Sequence, residues 1–367
     1  MQIESYLRRL VEMEGSDLHI KVGSFPVVRV NGKLNFLGEE KLTLNDVNEM
    51  LAPLIDEERK ADIEKYMASD FSYSINGVAR FRMNLSLQRG THMLVARVIP
   101  SEVPDLDNMN LPNVLRKVIH EKNGIILVTG ATGSGKSTTV ASMINEINKT
   151  QSKNIITVED PIEFLYSDLM SMISQKELGS DVVSFEKALK FALRQDPDVI
   201  FIGELRDRET VEAALKAAET GHLVISTLHT INAYQTVSRI LDLFPEERHK
   251  QLRYQLSESM RAIISQRLLP TLDNKRVAVN EILINTPVIK ECILSAEGVA
   301  DIPRYLAEGR TTYETQTFDQ DIADKYKEKV ISYETALKFA TVKKDIELLK
   351  RGINVSSVAD MYNDMFE

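Results

Sequence analysis

The sequence predicts an α/β protein with a smaller α+β unit ahead of it, on three observations. Short apolar runs rich in β-branched residues recur at 125–129, 154–158, 198–203 and 222–228, separated by stretches of helical periodicity. That alternation is the signature of a mostly parallel sheet. A glycine-rich turn joins the first run to an amphipathic segment. Before it, Ile99-Pro100-Ser101-Glu102-Val103-Pro104-Asp105 closes a set of short alternating segments, so two proline-marked units share the 367 residues.

Taken in order, Ile3, Tyr6, Leu7, Leu10 and Val11 form a helical stripe over 3–13. Leu18-His19-Ile20 and Val27-Val28-Arg29-Val30 read as strands, and Asn31-Gly32 turns the second into a further short strand. Helices are expected over 44–54 and 57–67, then strands over 71–75, 80–88 and 92–99, the first two joined at Asn76-Gly77. Past the boundary, Ile125-Ile126-Leu127-Val128 reads as a buried strand, and Val140, Met143, Ile144 and Ile147 as the stripe of the next helix. From about Thr286 the pattern is helical and more polar. The expected layout is a first domain at 1–100, a linker at 101–113, a core at 114–285 and a helical C-terminal region at 286–367.

Composition narrows the classes. At 43% hydrophobic and 27% charged this is an ordinary globular chain. A net charge of −9 and no tryptophan argue against nucleic acid as the partner. Cys292 is the only cysteine, which excludes an internal disulfide and leaves a Cys-based zinc site with too few thiols. The early charges of MQIESYLRRLVEMEG leave no signal-peptide core, and no apolar run has the length of a membrane span. A cytoplasmic protein that meets a membrane only through a partner is expected.

Gly130-Ala131-Thr132-Gly133-Ser134-Gly135-Lys136-Ser137-Thr138 satisfies the pattern G-x-x-x-x-G-K-S/T between that strand and that helix. Its glycines let backbone N–H groups turn inward as an anion nest at the helix N-terminus. Lys136 brings positive charge to the β- and γ-phosphates, and Ser137 a hydroxyl ligand for Mg²⁺. The chain is therefore expected to bind a nucleoside triphosphate.

Three further clusters fall at the C-terminal ends of the strands, the edge where open α/β sheets hold ligands. In Thr157-Val158-Glu159-Asp160-Pro161-Ile162-Glu163, a carboxylate can polarise water, hold Mg²⁺ through water, or simply mark an acidic surface turn. Asp198-Val199-Ile200-Phe201-Ile202-Gly203-Glu204 has the form of a Walker B strand, with Gly203 expected to permit close backbone approach and Glu204 to lie near the metal. His229 follows the last strand at the edge where the γ-phosphate lies. His222 opens that strand and suits its other end or a subunit interface. No carboxylate at ligand spacing makes the pair a metal site. Hydrolysis also needs a cation from outside the loop, and Arg80, Arg82, Arg89 and Arg97 are candidates, a solvated face being their plainer reading.

Read together, these blocks resemble the secretion and pilus-motor ATPases, specifically the type IV pilus retraction group (the PilT/PilU family). Gly15-Ser16-Asp17-Leu18-His19-Ile20, Arg80-Phe81-Arg82, Glu159-Asp160-Pro161-Ile162-Glu163, Gly203-Glu204-Leu205-Arg206-Asp207 and Glu219-Thr220-Gly221-His222 through His229 match in order. Gly130-Ala131, Phe244-Pro245-Glu246-Glu247-Arg248-His249 and Thr317-Phe318-Asp319-Gln320 look more like the PilU branch. Val288-Ile289-Lys290-Glu291-Cys292-Ile293 departs from the Ala-Ile-Arg-Asn-Leu-Ile motif of the best-known retraction motors.

The resemblance implies a homohexameric ring of RecA-like P-loop domains, each with a PAS-like N-terminal domain, hydrolysing ATP with Mg²⁺. It implies Lys136 and Ser137 as loop contacts, Glu163 as general base, Glu204 as the Walker B acid, and Ser137 with Glu204 at the metal. His229 and His222 become the histidine-box pair, and Arg82 and Arg97 the arginines that reach the γ-phosphate. The implied work is pilus retraction in twitching motility, at the inner membrane on a pilus platform protein, alone or beside a paralogous retraction ATPase. Pilus-assembly or secretion motors are the alternative. They generally add an N-terminal extension and a four-cysteine zinc module, whereas this chain starts at the retraction-type domain. A ring ATPase that translocates nucleic acid is a more distant one.

Overall fold

Helix α1 (Ile3–Glu12) buries Ile3, Leu7 and Leu10, the spacing its sequence stripe predicts. It opens a unit that the computed structural model describes together with the rest of residues 2–38, 40–100 and 102–351. Ser101 of the expected linker and residues 352–367 of the expected C-terminal region lie outside the described residues. Strands β1 (Asp17–Lys21), β2 (Val27–Val30) and β3 (Lys33–Phe36) follow, then α2 (Leu44–Leu51) and α3 (Glu57–Tyr66). The long strands β4 (Ala68–Ile75), β5 (Ala79–Gln88) and β6 (Thr91–Ile99) complete an antiparallel six-stranded sheet of order β3-β2-β1-β6-β5-β4. Thr43 and Asp46 cap α2 reciprocally, which explains a start at Leu44. Leu18, Ile20, Phe81, Met83, Leu85, Leu94 and Ala96 pack with the helices in one core. Strand alternation then puts Asp17, Arg80, Arg82 and Arg97 on the opposite face.

Contacts divide the chain into two units, residues up to Glu102 with Pro161–Leu165, and Val103–Asp160 with everything from Tyr166 onward. The expected linker at 101–113 is thus shortened. Ser142 Oγ donates to the Pro104 carbonyl at 2.7 Å, Lys149 pairs with Asp105, and Leu106 is buried, so this stretch is strapped to the second unit. Polar anchors on a neighbouring helix are invisible to a count of prolines.

The second unit runs through α4 (Val114–Val118), β7 (Gly124–Thr129), α5 (Lys136–Thr150), β8 (Asn154–Glu159), β9 (Met172–Glu177), α6 (Phe185–Ala192), β10 (Val199–Ile202), α7 (Arg208–Glu219) and β11 (Leu223–Leu228). It continues with α8 (Ala233–Asp242), α9 (His249–Ser259), β12 (Met260–Pro270) and β13 (Arg276–Ile284). Among the described residues six short helices follow: α10 (Pro287–Leu294), α11 (Ile302–Glu308), α12 (Arg310–Tyr313), α13 (Phe318–Lys327), α14 (Tyr333–Phe339) and α15 (Lys343–Lys350). Seven strands form one sheet, β13-β12-β7-β11-β10-β8-β9, parallel except for β13. Both faces are covered, which is why β7 and β11 are buried throughout. Ile125 and Leu127 face one core with α7, α8 and α9, whereas Ile126 and Val128 face another with α5. A third cluster packs α13, α14 and α15 on Leu269, Val277 and Val279. Among the described residues no helix is long and apolar enough to cross a membrane.

Candidate nucleotide site

Strand β7 ends at Thr129, whose hydroxyl donates to Ser265 Oγ on β12 at 2.9 Å. The chain then turns through Gly130 (φ +144), Gly133 (φ +79) and Gly135 (φ +91) into α5, and only glycine adopts this series without strain. Helices α6, α7 and α8 are capped by the side chains of Ser184, Asp207 and Asn232, but α5 begins at Gly135 with no side-chain cap. Its first N–H groups and the positive end of its dipole, about half a charge, are thus not taken up by a capping side chain, an arrangement that can receive an anion. Among the nine residues of this loop, Ala131, Thr132, Gly133 and Ser137 are exposed, Thr138 is half-buried, and Ser134 and Lys136 are buried.

The Lys136 ammonium is folded back into the loop, donating to the carbonyls of Gly130 (2.7 Å) and Ala131 (3.1 Å). Burial holds it below its ordinary pKa, an effect the Glu204 carboxylate opposes. Its Nζ lies 3.4 Å from His229 Nδ1, and His229 Nε2 lies 3.4 Å from Glu204 Oε1. Arg206 extends this chain of contacts, donating to Glu204 Oε2 at 2.8 Å and lying 3.5 Å from Asp160 Oδ2. The hydrogen bond to Glu204 raises the Arg206 pKa further.

Strand order explains the meeting. β10 delivers Glu204 and β11 delivers His229, and β11 lies directly beside β7. The turn at Gly203 is pinned on both sides, by Gly203 N–H to the Val158 carbonyl (2.8 Å) and Thr227 Oγ1 to the Gly203 carbonyl (2.6 Å). The expected close backbone approach at Gly203 is not what the structure requires. A Cβ there would meet Val158 O, Glu159 Cα and Asp160 N at 3.4–3.7 Å, ordinary contact distances. Glu204 is placed by the backbone bonds of its turn, not by a missing side chain.

The other expected residues lie elsewhere. His222 holds the opposite end of β11, with Nδ1 2.9 Å from the Ala217 carbonyl and 3.2 Å from Thr220 Oγ1. Seven residues of extended chain put it roughly 23 Å from His229. Glu163 is exposed and falls in Pro161–Leu165, the segment grouped with the first unit. Its neighbour Glu159 is buried and accepts from Thr157 Oγ1 at 2.6 Å and Gln175 Nε2 at 3.3 Å. In the first unit, Arg29, Asp17, Arg97 and Arg82 stand in register across β2, β1, β6 and β5. Arg97 Nε donates to Asp17 Oδ1 at 2.8 Å while most of its side chain stays exposed, and Arg82 is exposed beside it.

Sequence reasoning assigned no role to Arg206 or to the residues of β12 that support the loop. Arg206 sits two positions after Glu204 in the turn that follows β10, and no helix or strand periodicity singles it out. Nothing local signals Ser265 and Gln266, because they reach the loop only through the pairing of β12 with β7.

The sequence profile of the family described as Type II/IV secretion system protein matches residues 74–360. A protein of Pseudomonas aeruginosa described as Type IV pilus ATPase PilU is 40% identical over 350 residues, covering 95% of this chain and 91% of that one. From the same organism, the Type IV pilus retractation ATPase PilT is 41% identical over 293 residues, covering 80% and 85%. The crystal structure of the pilus retraction motor PilT with bound ADP superposes with a TM-score of 0.86 at 41% identity, covering 95% of this chain and 99% of that one.

Proposed function

This chain belongs to the Type II/IV secretion system protein family, and on that premise we propose that it is an ATP-hydrolysing motor of type IV pilus retraction. The observation that carries the reading is the convergence of Lys136, Glu204 and His229 on an uncapped, glycine-built helix N-terminus. The loop N–H groups and Lys136 hold the phosphates of ATP, and the carbonyl-bound ammonium moves onto the β- and γ-oxygens. Hydrolysis is in-line attack of water on the γ-phosphorus with departure of ADP. Glu163 takes the proton of that water, and Arg82 and Arg97 neutralise the charge on the γ-phosphoryl oxygens. His229, bridging Lys136 and Glu204, senses whether a γ-phosphate is present.

Mg²⁺ fits the donors in the loop. The ion usually takes one or two protein oxygens beside the substrate phosphates, and the exposed Ser137 hydroxyl and the Glu204 carboxylate are oxygens of that kind. Bound there, it would supply positive charge that offsets the negative charge of the phosphates. The working form is a homohexamer, cytoplasmic and docked at the inner membrane on a pilus platform protein, with a paralogous retraction ATPase as a further partner and no nucleic acid. His222, at the far end of β11, serves the subunit interface.

Deletion of the gene in its source organism, scored for pilus number and twitching, tests the direction of work. Surplus pili with lost motility support retraction. Loss of pili would make the protein an assembly motor, and ATPase activity that requires single-stranded nucleic acid would make it a translocase.

A further inference from the structure

We propose that Gln266 is a positioning residue for the nucleotide loop, its side-chain amide on β12 setting the Ser134–Gly135 peptide whose N–H faces the phosphates. The inference rests on the reading of this loop as the ATP site. Gln266 is buried to 1% exposure in the second unit. Its Nε2 donates to the Ser134 carbonyl at 2.8 Å, and its Oε1 accepts from Thr139 Oγ1 at 2.7 Å. The Ser134 carbonyl decides which way the amide points. It can only accept, so the NH₂ faces it, and the amide oxygen is left to accept the Thr139 hydroxyl proton, since that hydroxyl can donate.

A planar trans peptide carries its C=O and N–H on opposite sides. Fixing the Ser134 oxygen against Gln266 therefore fixes the Gly135 N–H in the opposite direction, toward the inside of the nest. The fit leaves no slack. A Cβ on Gly135 would lie 2.7 Å from Gln266 Nε2, and one on Gly130 would collide with the Gln266 backbone carbonyl. Two loop glycines are thus demanded by Gln266 as well as by their positive φ. β12 is itself anchored along β7, with Ser265 opposite Thr129, so the amide is presented from a fixed support.

The test is titration of ATP and ADP into the full-length protein, with steady-state kinetics and melting on the same samples. Gln266→Met keeps size and removes both hydrogen bonds, and we expect about tenfold weaker binding of both nucleotides with kcat at saturation within twofold of wild type. Gln266→Glu keeps the acceptor toward Thr139 but sets a charge against the Ser134 carbonyl and the phosphates, and about hundredfold weaker binding is expected. Thr139→Val removes the second anchor of the amide, leaving it held by the Ser134 carbonyl alone, and should cost about threefold. A purely structural role would instead lower the melting temperature and kcat with KM unchanged. That pattern, or Gln266→Met binding within twofold of wild type, overturns the proposal. If Gln266→Glu does not fold, the Met and Val variants decide. Lys136→Ala, measured alongside, separates the two readings. Unchanged binding there removes the nucleotide site and this proposal with it, whereas weakened binding beside unaffected Gln266 variants removes the positioning role alone.

Discussion

Asp17 in the six-stranded sheet and Glu281 in the seven-stranded sheet are both buried carboxylates, and their acidities move in opposite directions. Burial pushes the Asp17 carboxyl up, but hydrogen bonds from Ser16 and Arg97 and the charges of Arg97 and His19 outweigh it, so the pKa falls below the ordinary 3.8. At Glu281 burial dominates. The Ala233 N–H and the Arg267 charge pull the other way, Asp319 adds to the rise, and the pKa is pushed up to about 7. Arg267 lies over the Phe318 ring at 3.9 Å, and no hydrogen bond from it to Glu281 matches the one Arg97 gives Asp17. The first unit therefore keeps its charges ionised on an open face, where an arginine can be held ready for an anion. In the second unit Glu281 is instead accommodated by burial that favours its protonated form.

That contrast can be broken at four points. The largest effect is expected at Glu281. Its raised pKa means the folded state holds a proton that the unfolded chain loses, so its contribution to stability falls as pH rises from 4.5 to about 7. Glu281→Gln stays neutral and still accepts from Ala233. Against wild type it should gain about 3 kcal/mol between pH 4.5 and pH 8 in denaturant melts. An equal difference at both pH values would mean that Glu281 ionises normally.

Next comes Lys136→Ala, which removes a charge-assisted contact to phosphate worth about 1.5–3 kcal/mol, and so roughly ten- to hundredfold in ATP affinity by titration calorimetry. Glu204→Gln is expected to keep that affinity and lower turnover about tenfold in a phosphate-release assay, the equivalent of about 1.4 kcal/mol on the barrier. Wild-type turnover would remove Glu204 from the reaction.

The smallest stability effect is at Asp17. Because its folded pKa is depressed, its contribution is present above pH 3.8 and lost as pH falls through the folded value. Asp17→Asn should cost below about 1 kcal/mol at pH 7, since Arg97 is largely exposed, and should flatten the acid limb of the melting curve. It should also slow ATP turnover by releasing Arg97. Unchanged turnover, with Arg97→Ala slow, would show that Arg97 works without its carboxylate partner.

Much of the fold was legible because burial is periodic. β7, β8, β10 and β11 appear as apolar runs within one or two residues of their ends, and α1, α2 and α3 as stripes or capped segments. β9 escaped because Met172–Glu177 is a partly exposed edge strand with mixed residues. β12 and β13 escaped because Ser265, Gln266, Asn280 and Glu281 interrupt their apolar runs, and each is polar for a tertiary reason. Gln266 meets the loop, and Glu281 accepts the first N–H of α8 at 2.7 Å.

By itself the sequence determined the local chemistry of this protein: a glycine series that can only turn, a lysine after it, an acid after one strand and a histidine after another. Those are properties of neighbouring residues, where side-chain volume and backbone freedom act within a few positions. Only the tertiary structure decided which of them meet. Lys136 and His229 are 93 residues apart, Gln266 and Ser134 132, and Arg97 and Asp17 80. Each contact depends on the order of strands in a sheet. That order comes from packing two faces at once, a many-body balance that no local pattern carries.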